Sequence, residues 1–432
     1  MNKEEIIAIL DDWNFWKKPL PTTFHRPFYE DAIKKKSQTD EIIILKGVRR
    51  SGKSTILLNH IHNLLDRGIA KEQILFVNLE DPRFAPYLGL DLLEKIKETY
   101  LYYLTPREKP HIILDEIQNI EGFEKWLLKE YELKRAHLYI TGSNSKLLSR
   151  EIGSALSGRY LDTTVYPLSF KEFLHFKKIE IATKLDLVHS RLEVSRLFEE
   201  YTRYGGFPKV VLTEDPENKS AELKSYFDSI LLRDIVARYR LDQFSVLEKL
   251  AVILISQASN LTSINKLKNL LGVSHETIEK YFEYLQNAYI IFSIPKFDWS
   301  LKKQTVANKK IYTIDPGLSR RISFEVGKRQ GDILENILFL ELRRRHENIY
   351  YYKTKEGYEV DFLIKEGEKI VALIQVTLTL SEEKTRKREL RALKKAQMEL
   401  GCQCPLIVLT MDRSQEMEGV RVTNAIEWLL EL

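Results

Sequence analysis

The stretch IIILKGVRRSGKSTILL, residues 42–58, decides how the rest of the chain is read. Its β-branched run, Ile42-Ile43-Ile44-Leu45, reads as a buried strand, and Ile56-Leu57-Leu58 opens a helix-compatible apolar pattern. Between them stands Gly47-Val48-Arg49-Arg50-Ser51-Gly52-Lys53-Ser54-Thr55, the spacing of a phosphate-binding loop. Several backbone N–H groups at a helix N-terminus must converge on a triphosphate, and glycines let the main chain come that close. Residues 47–55 are therefore the expected nucleotide cradle. Lys53 is expected to reach the β and γ phosphates, and Ser54 to offer its hydroxyl to Mg²⁺.

Working outward, the bulk properties bound the rest. A chain of 432 residues is too long for one ordinary core. With 44% hydrophobic and 30% charged residues it has a soluble, globular composition, and no apolar run approaches the roughly 18 residues a membrane crossing needs. No membrane partner is expected. The first residues, MNKEEIIAILDDWNFW, are acidic where a secretory leader is basic, and read as a helix. Cys402 and Cys404 are the only cysteines, too few for a disulfide framework, so a reduced, cytoplasmic setting is expected. A net charge of +5 is mild for this length, so any nucleic-acid argument must rest on where the charge lies.

Strand patterns at 73–79, 111–116, 137–141 and 160–165 alternate with helical ones, which predicts a parallel α/β sheet covered on both faces. Four domains are expected. Residues 1–167 form the nucleotide-binding domain with an N-terminal helix, and 168–245 a helical lid. Residues 246–330 read as a winged helix-turn-helix, with caps at Ser263 and Ser274, and 331–432 as a second α/β unit.

Asp115-Glu116 ends an apolar strand downstream of the phosphate loop. Asp115 is expected to hold Mg²⁺ through water, and Glu116 to orient and polarise the attacking water. Ser143-Asn144 ends the next strand, within reach of the γ-phosphate or that water. Asn78 or Glu80 is expected to contact the Glu116 carboxylate when the site is idle.

The combination GVRRSGKST, VNLEDPRF, IILDEIQ, ITGSNS, LSGRY, PLSFKEF and YGGFP resembles AAA-type ATPases of archaea and bacteria whose C-terminal half is a domain of unknown function. The resemblance runs from Arg26 to about Gln375. It implies ATP as cofactor and a homo-oligomer in which an arginine after the fourth strand enters a neighbour's site. Arg159 of Ser157-Gly158-Arg159 stands at that place, with Arg150 as its alternate, and Arg233 in LLRDIVARY is a candidate lid arginine.

The C-terminal unit resembles the PD-(D/E)xK nuclease core, with Glu335, Asp361 and Gln375-Val376-Thr377 in the order of its acids and lysine. It departs at the third element. Gln375 replaces a carboxylate and Thr377 a lysine, so the nuclease fold is expected to be inactive. A DNA partner is argued from charge. Residues 296–329 hold nine Lys/Arg (296, 302, 303, 309, 310, 320, 321, 328, 329) against three acids (298, 315, 325), a local excess of +6. Glu276, Glu279 and Glu283 on the would-be recognition helix oppose direct base reading there. The leading expectation is an ATPase acting on DNA, possibly branched. Its rivals are a nucleotide-gated switch or signalling scaffold with protein partners, and a metal-dependent nuclease.

Overall fold

Strand β1 (Ile42–Lys46) sits inside a five-stranded parallel sheet, order β2-β3-β4-β1-β5, with β2 Ile74–Asn78, β3 His111–Asp115, β4 His137–Gly142 and β5 Tyr160–Thr164. The computed structural model describes residues 1–144, 156–324 and 330–432. It separates into two units, Met1–Val165 and Tyr166–Leu432.

In the first unit the period-two geometry of β1 explains its composition. Ile42 and Ile44 face one apolar cluster with Leu75, Val77, Ile112 and Leu114, while Ile43 and Leu45 face the other with Ile74, Phe76, Ile113 and Tyr139. A strand buried on both faces cannot alternate with polar residues, hence the unbroken apolar run. Each fully buried aliphatic side chain contributes roughly 1.5–3 kcal/mol by transfer from water. Helices α1 (Lys3–Trp13), α4 (Leu90–Leu104) and α5 (Phe123–Glu132) cover the first face; α2 (Pro27–Lys36) and α3 (Lys53–Asp66) cover the second. The acidic N-terminus does form a helix, started by an Asn2–Glu5 capping box that satisfies two otherwise orphaned N–H groups.

Strand β4 lies between β1 and β3, so the Asp115-Glu116 strand is not a direct neighbour of the phosphate-loop strand. Side chains from β4 must therefore bridge the gap.

In the second unit, α6 (Phe170–Phe176) starts at a Ser169–Glu172 capping box and packs on α7 (Arg191–Tyr204) through Phe170, Phe173, Phe198 and Tyr201. The YGGFP break after α7 has a steric cause. A side chain at Gly205, where φ is +75°, would meet Asp315 Oδ1 at 1.9 Å, and one at Gly206 would meet the Leu168 carbonyl at 2.3 Å. The Gly206 N–H donates to Asp315 Oδ2 at 2.7 Å, and Asp315 also caps α10 (Pro316–Ile322). Arg233 is exposed on a π-helical segment, Ile230–Val236, rather than on a regular helix.

Helices α8 (Ile264–Leu271) and α9 (His275–Asn287) lie between the first and second strands of a three-stranded antiparallel sheet, order β6-β8-β7, with β6 Leu261–Thr262, β7 Ile291–Ile294 and β8 Lys309–Thr313. A six-stranded mixed sheet follows α11 (Gln330–Arg345), in the order β13-β14-β12-β11-β10-β9. Its strands are β9 Asn348–Lys353, β10 Glu359–Glu366, β11 Lys369–Val376, β12 Leu406–Thr410, β13 Gln415–Met417 and β14 Val420–Asn424; α12 (Glu383–Leu400) joins β11 to β12 and α13 (Ala425–Leu430) ends the chain. The last two strands and α13 are additions to the sequence reading, since β14 signals itself only through Val420 and Val422.

Candidate nucleotide site

The phosphate loop leaves β1 at Gly47, whose φ is +150°. An added Cβ there would stand 2.1 Å from the Val165 carbonyl, so only glycine lets the loop turn against the end of β5. Gly52 takes the left-handed conformation and starts α3, which makes Lys53 the first helical residue and aims the helix N-terminus at the loop. Val48, Arg49 and Ser51 are buried, Arg50 is exposed with φ +70°, and Thr55 lies half-buried on α3.

Lys53 Nζ donates to the Gly47 carbonyl at 3.0 Å and to the Val48 carbonyl at 3.2 Å, and lies 3.5 Å from Glu116 Oε1. Ser54 Oγ donates to Asp115 Oδ2 at 2.7 Å. The loop's lysine and hydroxyl thus meet Asp115 and Glu116, at the end of β3, across the intervening strand.

The bridge is Thr141 on β4. Its hydroxyl donates to Asp115 Oδ1 at 2.6 Å and accepts the Glu116 N–H at 2.8 Å. Glu116 itself has φ +56°, an uncommon conformation for a side chain with a Cβ, and one often found where a functional group must be aimed. Gln118 holds it there. Its amide donates to Glu116 Oε2 and, at 3.1 Å, to Ser143 Oγ. Asn144 is wholly buried beside Ser143. The Glu116 carboxylate is therefore bonded by Gln118 and Ser143 and paired with Lys53 rather than held by Asn78 or Glu80; Glu80 instead pairs with Arg49 at 2.6 Å, and Asn78 accepts the Glu80 N–H.

The adjacent acids are driven apart. Burial, then the neighbouring Glu116 charge, pushes Asp115 up to about 6 against the bonds from Thr141 and Ser54. Burial would also raise Glu116, but Lys53 and Arg49 more than reverse that and hold it below the ordinary carboxylate range. Glu116 is thus an ionised acceptor beside a metal-type pair. A hydroxyl and a carboxylate, both hard oxygen donors, fit Mg²⁺.

Thr141, Gln118 and Arg26 were not legible in the sequence. Arg26, buried and stacked over Tyr29, donates from Nη1 to the Ser51 carbonyl at 2.8 Å and braces the loop from behind.

Arg159 stands at the other end of the sheet. It precedes Tyr160, which is opposite Ile42, the first residue of β1, and it pairs with Glu132 at 2.8 Å. It lines a cleft with Asp40, Lys109 and Lys134. Arg150 lies outside the described residues, as do Glu325, Lys328 and Arg329 of the charge count over 296–329.

In the second unit Glu335, Asp361 and Gln375 do come together, and Asp361 N–H donates to Gln375 Oε1 at 3.2 Å. Thr377 turns away and bonds the Thr379 carbonyl. Lys310 requires a correction to the charge argument. It is buried against Glu335, Glu359 and Asp361 and offers nothing to a phosphate, whereas Lys302, Lys303, Lys309, Arg320 and Arg321 are exposed. Glu276 and Glu279 are exposed on α9, as expected, whereas Glu283 is half-buried.

A glycine-lined loop at the head of a helix, set in a parallel sheet with an acid pair two strands away, defines a P-loop nucleotide-binding fold. A family described as AAA domain matches residues 39–174, and two domains of unknown function, DUF8612 and DUF4143, match 195–326 and 330–428. An uncharacterized protein of Methanocaldococcus jannaschii is 36% identical over 366 residues, covering 83% of this chain and 79% of its own. An uncharacterized protein of Haemophilus influenzae is 32% identical over 398 residues, covering 91% and 95%. The chain belongs to the family of these two proteins, and in this chain an AAA domain leads into two domains of unknown function. Among solved structures it is similar to a Walker-type ATPase of Pyrococcus abyssi, at 13% identity, with 69% of this chain and 96% of that one covered and a TM-score of 0.45. Among the described residues no helix is long and apolar enough to cross a membrane.

Proposed function

We propose that the protein binds Mg·ATP at residues 47–55 and hydrolyses it, with Ser54 and Asp115 holding the metal and Glu116 polarising the attacking water. Bound Mg²⁺ supplies charge neutralisation on the β and γ phosphates. Lys53 leaves its two loop carbonyls for the phosphate oxygens, and Ser143, through Gln118, keeps Glu116 aimed. The observation that carries this reading is the 2.7 Å bond between Ser54 and Asp115, which joins the loop to the acid strand. Lys53→Ala is expected to abolish ATP binding or turnover, and Glu116→Gln to retain ATP without cleaving it. Unchanged hydrolysis in both variants would remove the assignment.

The working state in this reading is a homo-oligomer with Arg159 acting on a neighbour's nucleotide. We propose DNA as the partner of the second unit, since Trp299 (66% exposed) and Leu301 (75%) adjoin the exposed Lys302 and Lys303 between β7 and β8. An aromatic face amid cations suits unpaired or branched strands. Turnover measured with duplex, single-stranded and four-way DNA at rising salt separates this from a nucleotide-gated switch with protein partners, which DNA would leave unstimulated.

A further inference from the structure

Lys310 belongs by sequence to the small antiparallel sheet, yet its ammonium lies among side chains of α11 and β10. Nζ stands 2.9 Å from Glu335 Oε1, 2.8 Å from Asp361 Oδ1 and 3.0 Å from Glu359 Oε1. An ammonium has three N–H donors and no acceptor, so three carboxylates saturate it. The acids are held from behind. Tyr312 hydroxyl donates to Glu335 Oε1 at 2.8 Å, and the Val376 N–H to Asp361 Oδ2 at 2.9 Å. Gln375, which accepts from the Asp361 N–H, donates to Glu389 Oε2 at 2.5 Å and to the Glu359 carbonyl at 3.3 Å.

A nuclease-like core implies a divalent ion between Glu335 and Asp361, and the residues present do not fit one. Mg²⁺ needs oxygens at about 2.1 Å, whereas these surround a nitrogen at hydrogen-bond distance. Among the described residues no group of three His, Cys, Asp or Glu side chains is arranged to hold a metal. The lysine stem is buried along its length, so a metal cannot enter without expelling it.

We propose that the Lys310 ammonium is the resident cation of this carboxylate cluster: a tethered substitute for a divalent metal that fastens β8 to α11 and β10 and leaves the C-terminal α/β fold without metal-dependent cleavage of DNA. Breaking such a buried network is costly because each partner is left an uncompensated charge. The cluster is thus a strut between the small sheet and the mixed sheet within the second unit, and it stands independently of the nucleotide reading.

Mn²⁺ binding to the nucleotide-free full chain, followed by paramagnetic resonance, tests the proposal. Wild type and Asp361→Asn are expected to bind the same number of Mn²⁺ ions. Lys310→Ala is expected to gain one ion per chain, at least about tenfold tighter than any ion that wild type binds in the second unit, and to lose it again when combined with Asp361→Asn. In Lys310→Ala, Mn²⁺ should also raise the melting temperature by more than it does in wild type. An ion in wild type that Asp361→Asn removes would overturn the proposal, as would Mn²⁺-dependent DNA cleavage by wild type lost in Asp361→Asn, or a folded Lys310→Ala that gains no ion. Should Lys310→Ala fail to fold, the comparison of wild type with Asp361→Asn still decides.

Discussion

Thr141 and Asp115 are joined by a 2.6 Å hydrogen bond from hydroxyl to carboxylate, and the same hydroxyl accepts the N–H of Glu116. One side chain on β4 thereby fixes both acids of β3, and it does so because β4 lies between β3 and β1. Thr141→Val keeps the shape and removes both bonds. A buried acceptor and a buried donor are then unsatisfied, at a cost of about 1–3 kcal/mol each. The expected outcome is a folded protein of reduced stability in urea whose ATP turnover falls by more than its ATP affinity. Turnover equal to wild type would show that Thr141 does not position the acid pair.

With Asp115 as the proposed metal ligand, its raised carboxyl predicts pH-dependent metal loading. Its value near 6 in the free site lies above the ordinary 3.8, so the proton stabilises the fold most fully below about pH 4, and that contribution is lost as pH rises through 6. Magnesium needs the ionised form. Mg·ATP affinity is therefore expected to fall with pH below 6, approaching tenfold per pH unit below about 5, with release of about half a proton per site at pH 6 and close to one a unit lower. Calorimetry in buffers of different ionisation heat measures the proton directly. Asp115→Asn should abolish it; a binding heat independent of buffer in wild type at pH 6 would contradict the assignment of Asp115 to the metal.

The pinch between Gly205 and Asp315 predicts a different kind of failure. Gly205→Ala forces a Cβ to within 1.9 Å of a carboxylate oxygen at a positive φ, and the carboxylate already caps α10 and holds Gly206. About 3 kcal/mol of destabilisation is expected, since a left-handed Ala and a displaced cap act together. Urea unfolding reads it. A loss below about 0.5 kcal/mol, the range of an ordinary surface change, would mean that this junction relaxes freely.

These cases show which parts of the molecule the sequence discloses. Ile42 to Leu45, Gly47 and Lys53 announce themselves because a strand buried on both faces, a tight turn and a helix start each demand particular residues over a few consecutive positions. Asp115-Glu116 follows by the same local logic. Thr141 and Gln118 carry no such mark. A threonine at a strand end and a glutamine in a turn are ordinary, and their importance comes from the strand order, which spacing alone does not give. Lys310 is the strongest instance: in the chain it is one of a basic series, and only the fold carries it to acids 25 and 51 residues further on. Gln375 and Thr377 are visible in the chain as an amide and a hydroxyl, whereas the ammonium beside Glu335 and Asp361 comes from a residue that no local pattern connects with them.

The role proposed for Arg159 requires an assembly. The residue immediately precedes the edge strand β5 near the start of β1, while the phosphate loop leaves the end of β1; five residues of strand put the two about 17 Å apart along the sheet. An arginine side chain does not span that, so Arg159 has no part in its own subunit's phosphate chemistry. Its guanidinium is 39% exposed and held by Glu132, in a cleft at the sheet edge that another subunit can meet. If the trans role holds, Arg159→Ala leaves ATP affinity unchanged and lowers turnover by about 10³-fold, the scale of an arginine that neutralises transferring phosphate. Mixing Arg159→Ala subunits with Lys53→Ala subunits is then informative. Each lacks what the other retains, so shared sites restore part of the activity, and a mixture as inactive as its components would assign Arg159 to its ion pair with Glu132 alone.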